Sequence, residues 1–143
     1  MTIPINIIEL RSKEQMLAQL QLINQLHPAL THAKYADMLD TMLTNGYRQV
    51  GIFENEKCIG ISGFWINVKI YSGKYVELDN VIVDQNHRSK KIGKLLCDWI
   101  HNEAKQKGCL MAMLDAYVEN TSAHRFYKRE GYSITGFHFL KNL

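Results

Sequence analysis

The sequence predicts an α/β (α+β) fold: a mixed, mostly antiparallel central sheet of six to seven strands with helices on both faces, in the order βααβββαβαββ. Three observations carry this. Three β-rich runs between Arg48 and Val83 follow one another across short polar turns, the pattern of antiparallel hairpins. A long amphipathic stretch, Ser89 to Lys107, separates the last of those runs from a further apolar run, so those two strands should lie parallel. Capped helical patterns flank the strands on both sides in sequence.

Taken in order, Ile3 to Ile8 alternates weakly and reads as the first strand. Ser12-Lys-Glu-Gln15 is a capping box, and Met16, Leu17, Leu20, Ile23 and Leu26 behind it keep helical spacing up to Pro28. Thr31 caps a second helix whose face is Met38, Leu39, Met42 and Leu43, and Asn45-Gly46 ends it. Arg48 to Glu54, Cys58 to Ile70 and Tyr75 to Val83 are the strand runs, turning at Asn55-Glu56-Lys57 and Tyr71-Ser72-Gly73-Lys74. In the next helix Ile92, Leu95, Leu96, Trp99 and Ile100 occupy i, i+3, i+4, i+7 and i+8, and Gly108 stops it. Cys109 to Ala116 reads as a buried strand. Asn120-Thr-Ser caps a last helix with Ala123, Phe126 and Tyr127 on one face, ended by Gly131. Tyr132 to Ile134 and Phe137 to Leu140 close the sheet.

Bulk properties narrow the function classes. The 143 residues make one domain's worth of chain, read as a single domain over 1–143, and 46% hydrophobic with 22% charged is an ordinary globular balance. A net charge of +3 suits an anionic ligand without demanding nucleic acid. The N-terminus lacks a cationic n-region, and no run approaches the roughly 20 apolar residues of a membrane span. Cys58, Cys97 and Cys109 are odd in number and widely spaced, and no Cys-x-x-Cys or ligand-spaced histidine pair occurs. Reduced thiols, a cytoplasmic location and no metal are therefore expected.

The most informative stretch runs from Glu77 to Gly93. A β-branched strand enters a basic loop, Arg88-Ser89-Lys90-Lys91, which opens the long helix. Free backbone N–H groups and cations at a strand-to-helix junction suit a phosphate group. The other reading of such a run is a solvated basic helix face. Glu77 and Asp79 share one face of the strand, as candidate bases or as partners for nearby lysines.

With Arg88-Ser-Lys-Lys91-Ile-Gly93 followed by Lys94-Leu-Leu, and with Asn120-x-x-Ala123-x-x-Phe126-Tyr127-x-x-x-Gly131-Tyr132, the sequence resembles the GCN5-related N-acetyltransferase (GNAT) superfamily. The resemblance is strongest over residues 75 to 132, and its topology covers the chain. It implies the GNAT fold and acetyl transfer from acetyl-CoA to a primary amine of a small molecule, by direct attack in a ternary complex. A non-catalytic acyl-CoA sensor on the same fold is the alternative.

The resemblance also implies roles. Arg88, Ser89, Lys90, Lys91, Ile92, Gly93 and Lys94 would hold the coenzyme A diphosphate. Backbone at Val81, Ile82 and Val83 would pair with the pantetheine arm and polarise the thioester. Glu77 matches the base of histone-type members and Asp79 the acid of polyamine-type relatives. Tyr127 would protonate the leaving thiolate, although a core tyrosine fits its spacing equally. Asn120 would contact the cofactor while capping its helix. Lys91 stands where the family has its first Gly. At a positive φ it bears strain of about 1 kcal/mol, and otherwise it adds charge beside the phosphates.

The segment from Ala123 to Tyr132 and Phe137-His-Phe-Leu-Lys-Asn-Leu are similar to small bacterial aminoalkylphosphonate N-acetyltransferases over the last quarter. An acceptor pocket is expected between the first two helices and the middle hairpin, with His27, His32, Tyr35, Asp37, Trp65, Asn67 and His138 as candidates. The first two helices hold no acidic cluster, which disfavours a polyamine. Relatives are often dimers built through the C-terminal strands, so a homodimer is an expectation too. Neither nucleic acid nor membrane is expected as a partner.

Overall fold

The computed structural model describes residues 4–88 and 91–143. Its elements are β1 (Ile5–Leu10), α1 (Lys13–Leu17), α2 (Leu20–Ile23), α3 (His32–Thr44), β2 (Arg48–Glu54), β3 (Lys57–Lys69), β4 (Gly73–Val83), α4 (Ile92–Gln106), β5 (Met111–Met113) and α5 (Thr121–Arg129). The five strands form one sheet in the order β1-β2-β3-β4-β5. The first four pair antiparallel, and β4 with β5 parallel.

Local chemistry explains the helix starts. Ser12 Oγ accepts from Gln15 N–H at 3.1 Å, and Gln15 Oε1 accepts from Ser12 N–H at 3.1 Å, which is the capping box. Thr31 Oγ1 accepts from Lys34 N–H at 3.2 Å and starts α3. Asn24 Nδ2 donates to the carbonyls of His27 and Leu30, which folds the loop between α2 and α3.

Each face of the sheet has its own core. On one, Val50, Ile52, Phe64, Val76 and Leu78 pack against Ile92, Leu96, Cys97, Ile100 and Ala104 of α4. On the other, Met16, Leu22, Ile23, Tyr35 and Leu39 of α1–α3 cover Cys58, Ile61 and Ile82. Each fully buried aliphatic side chain in these layers contributes about 1.5–3 kcal/mol. Arg48 ties β1, β2 and α4 together. It donates to Glu9 at 2.9 Å and to Glu103 at 2.5 Å, with its guanidinium over the Phe64 ring.

The architecture corrects three expectations. The first helix is two short ones. Tight i→i+3 bonds, Gln19 N–H to Met16 O and Leu22 N–H to Gln19 O, turn the chain at Gln19. Leu22 and Ile23 thereby join Met16 in the core, and Leu26 is left exposed. Second, β5 spans Met111–Met113 where Cys109 to Ala116 was expected. It pairs with Tyr75–Glu77 only, so Leu114 to Ala116 have no ladder partner among the described residues. Third, Tyr132 to Ile134 and Phe137 to Leu140 form no strand, because no ladder partner lies beside them among the described residues. The sheet therefore has five strands rather than six to seven.

Candidate active site

A bulge in β4 organises the site. Gly63 lies opposite Asp79 and Ile61 opposite Ile82, which leaves Asn80 and Val81 both facing Ser62. Asn80 carries the strain of the extra residue at φ 61°, a left-handed conformation that asparagine tolerates well. The bulge switches the strand's parity. Val76 and Leu78 face the α4 side before it, and Val81 and Val83 do so after it. Ile82 faces α1–α3. Since β5 pairs only as far as Glu77, the outer edge of β4 from Leu78 to Val83 has no strand beside it among the described residues.

The chain then enters the loop before α4, which is pinned from beneath. The buried carboxylate of Asp84 accepts from Gln25 Nε2 at 2.7 Å and lies 2.6 Å from His87 Nδ1. Those contacts, Gln25 first, hold its carboxyl below the usual range. The helix begins at Lys91, whose φ of 59° settles the alternative left open above: this lysine occupies the left-handed, glycine-favouring conformation. No side chain among the described residues caps α4, and its first internal bond runs from Leu95 N–H to Lys91 O at 3.1 Å. The N–H groups of Ile92, Gly93 and Lys94 are therefore without intrahelical partners.

The side chains of the basic loop divide. Arg88 and Lys91 are exposed, while Ser89 and Lys90 lie outside the described residues. Lys94 is paired with Asp98 at 3.3 Å and Glu130 at 3.5 Å. Ile92 is a core residue, so only its backbone is available to a ligand. Gly93 is small for a packing reason: a Cβ there would lie 3.2 Å from the Phe126 ring of α5.

Asn120 caps α5, its Oδ1 accepting from Ala123 N–H at 3.2 Å. Tyr127, two turns later, is half-buried on the α4 side. It packs edge-on against Phe126 at 5.1 Å and Tyr132 at 5.8 Å. Burial, with the neighbouring Cys97, pushes its phenol above the ordinary tyrosine value. Its hydroxyl has no hydrogen-bond partner among the described residues.

The two carboxylates stand on the opposite face. Asp79 Oδ2 accepts from Trp65 Nε1 at 2.9 Å. Trp65 in turn leans on Tyr47 at 5.1 Å, and the Tyr47 phenol covers Gly63, where a Cβ would come within 2.2 Å of its oxygen. Glu77 lies opposite Trp65. Burial, then the charges of Asp115 and Asp79, raise its pKa against the opposing pull of Lys69 and His138.

Beside Asp79 a cavity of about 530 Å³ opens between α2, α3 and the sheet. His27 and Tyr35 line it, as expected from sequence. Trp65 stands behind it on Tyr47, His32, Asp37 and Asn67 face solvent, and His138 lies by Asp115 at 3.4 Å. Sequence reasoning missed Lys34, Gln49 and Asn80, which also line it. Asn80 Oδ1 meets His27 Nε2 at 2.9 Å. Gln49 donates to the hydroxyls of Tyr35 and Tyr47, while its buried Oε1 has no partner among the described residues. No carboxylate lines the cavity among the described residues, and Lys34 has no ion-pair partner there.

Comparison with known proteins places this geometry. Residues 15–132 match the family described as Acetyltransferase (GNAT) family. The chain is 31% identical over 90 residues to an aminoalkylphosphonate N-acetyltransferase of Salmonella typhimurium, an alignment covering 62% of this chain and 58% of that one. That likeness reaches well beyond the C-terminal quarter, although the chain spans little more than half the length of that relative. It is 25% identical over 139 residues to the N-acetyltransferase YhdJ of Bacillus subtilis, covering 96% and 98% of the two chains. In three dimensions it is similar to the aminoglycoside N-acetyltransferase AAC(6')-Iy in complex with CoA, with a TM-score of 0.85 at 18% identity, over 98% of this chain and 95% of that one.

Proposed function

Because the chain belongs to the acetyltransferase (GNAT) family, we propose that it transfers the acetyl group of acetyl-CoA to the primary amine of a small molecule, by direct attack in a ternary complex within one catalytic domain. The observation that carries this is the bulge at Asn80. It sits where the outer edge of β4 loses its neighbour, with the Tyr127 phenol packed on the α4 face of the sheet and Glu77 and Asp79 on the other, Asp79 next to the cavity-lining Gly63 and Asn80.

The bound thioester supplies an activated acyl carbon. The uncapped N–H groups of Ile92 to Lys94, with Arg88, fit its diphosphate. The free backbone edge at Val81 to Val83 fits its amide-bearing arm. Asp79, held by Trp65 next to the cavity wall, draws the substrate ammonium toward the gap. Glu77 takes the proton that this nitrogen must lose before it attacks, a task suited to a carboxyl whose pKa is raised toward neutrality. As the new C–N bond forms and the C–S bond breaks, Tyr127 protonates the departing sulfur. Two neighbouring carboxylates thus hold separate roles.

The cavity narrows the acceptor. Its wall is mainly apolar, lacks carboxylates and offers Lys34 and His27. A polycation finds no counter-charge there. An amine on a short apolar body with an anionic end, as in an aminoalkylphosphonate, does. The three free cysteines fit a reducing compartment, and cytoplasmic action is part of the proposal. No helix among the described residues is long and apolar enough to cross a membrane.

A two-step measurement tests the reading. Acetyl-CoA at about 100 times its dissociation constant stabilises by about 2.7 kcal/mol, so the melting temperature rises by several degrees. Thiol release is then followed across an amine panel. Aminoalkylphosphonates and other anionic monoamines should outrun polyamines and aminoglycosides. Binding without amine-dependent thiol release would mark an acyl-CoA sensor and defeat the proposal.

A further inference from the structure

The cavity has a polar floor in a mainly apolar wall, and no step of the proposed reaction uses it. Tyr35 of α3, Tyr47 just before β2 and Gln49 of β2 meet there, all buried and all lining the cavity. In register Gln49 lies opposite Gly63, and Gly63 lies opposite Asp79. The three form one row across β2, β3 and β4, on the face that α1–α3 cover. The Tyr47 hydroxyl fills the space left by the missing Gly63 side chain, where a Cβ would collide with it. Residues directly opposite each other have Cβ positions about 5 Å apart. That hydroxyl is therefore a close neighbour of the Asp79 side chain.

Hydrogen bonding at this floor is lopsided. Gln49 Nε2 donates to Tyr35 Oη at 3.2 Å and to Tyr47 Oη at 3.0 Å, which uses both of its hydrogens. Each phenol oxygen is thus an acceptor, and its own proton has no acceptor among the described residues. Burial pushes both phenols above the ordinary tyrosine value, so those protons stay in place. Gln49 Oε1 has no partner among the described residues. A buried carbonyl left unpaired is destabilising, so stability alone is a poor reason for an amide here. As a bracket for two hydroxyls it has a reason. With both phenol oxygens turned to Gln49, both O–H bonds are directed away from it and are free for a group in the cavity.

We propose that Tyr35 and Tyr47, oriented by Gln49, are the seat for a terminal oxyanion of the acceptor, and that this seat sets the acceptor's class and length. Two O–H donors converge on one anionic group, and Lys34, next to Tyr35 in α3, adds charge at the cavity wall. Hydrogen bonds to an ionised oxygen are stronger than those between neutral groups. Asp79 draws the amine at one end of the row and the phenols hold the oxyanion a few bonds away, so the acceptor is short. The tyrosines touch the acceptor, whereas Gln49 acts through them and is a positioning residue. The placing of the amine rests on the acetyl-transfer reading, and the oxyanion seat does not.

Probes without an amine keep the two readings apart. Ethylphosphonate and propionate carry only the oxyanion, so calorimetry of their binding to the full chain reports the seat without turnover. At least one should bind, and the tighter identifies the oxyanion. Tyr35→Phe with Tyr47→Phe removes two oxygens and should weaken that binding about 10²-fold, about tenfold for each charge-assisted bond lost. In turnover, the kcat/KM ratio of the matching amine, aminoethylphosphonate or β-alanine, to ethylamine should fall by a similar factor. Lengthening the chain to hexyl should lower wild-type kcat/KM. Gln49→Met, of similar volume, should weaken probe binding about tenfold with the melting temperature held. In the double-phenylalanine background it should add nothing, because Gln49 works through the phenols. Binding indifferent to the phenols but abolished by Lys34→Gln would reduce the seat to a lysine contact and overturn the proposal. A Gln49→Met loss that persists without the phenols would overturn it too, as would failure of both probes to bind. Phenol-dependent probe binding in a chain that transfers no acetyl group would defeat the acetyl-transfer reading and leave the seat standing.

Discussion

The strands β2 to β4 and the chain from Tyr132 on carry similar β-rich patterns, yet only the first set builds a ladder. In β3 the buried run from Cys58 to Phe64 has a strand on each side. Beyond β5, Ile134, Phe137 and Phe139 have none, and they stand in solvent. Intrinsic preference is alike in the two regions. What differs is whether an edge is available within the chain. Pattern states that a segment is able to be a strand, and pairing decides whether it is one.

The largest test of this contrast compares two phenylalanines. Phe64 is fully buried, so Phe64→Ala should cost about 3–5 kcal/mol in chemical denaturation. Phe139→Ala, at an exposed side chain, should fall within about 0.5 kcal/mol of wild type. Equal costs would mean that the tail is packed against the core. A smaller effect separates two glycines. A Cβ on Gly60 would come within 2.4 Å of Ile92, so Gly60→Ala should lose about 1–3 kcal/mol. Gly136→Ala meets nothing within 4 Å and should be close to silent. Smallest, and opposite in sign, is Lys91→Gly at the entrance to α4. Relief of a left-handed lysine should raise stability by about 1 kcal/mol, read as a higher denaturation midpoint at unchanged slope. An unchanged midpoint would show that the lysine repays its strain by contacts of its own.

Much of the packed region was legible from sequence. β2 has the predicted bounds because the chain turns at Asn55 as expected, with that asparagine in the left-handed conformation. The stripe Ile92, Leu96 and Ile100 is the buried face of α4. The break at Gln19 was not legible, since neither proline nor glycine marks it and only the demand to bury both Met16 and Leu22 imposes it. The parity change from Val76 and Leu78 to Val81 and Val83 announces an inserted residue, and from it the Asn80 bulge could have been found. Gln49 gave no such sign. A polar residue in a strand usually faces water, and its burial depends on Tyr35 and Tyr47 arriving from elsewhere in the chain. His32 and Asp37 were chemically suitable but sit on the outer face of α3. The missing final strands belong to the same lesson, because a strand pattern does not say whether an edge is available to pair with it.

The pH dependence of kcat/KM for amine-dependent thiol release, compared between wild type and Glu77→Gln, tests the central claim most directly. Glu77 must be ionised to accept a proton, and its pKa lies above the ordinary carboxylate value. Wild-type activity should therefore fall as pH drops through that raised value. Glu77→Gln should lose about 10²–10⁴-fold, lack that acid limb and keep its affinity for acetyl-CoA. Turnover that survives neutralising Glu77 and Asp79 together, with the acid limb still in place, would contradict the account.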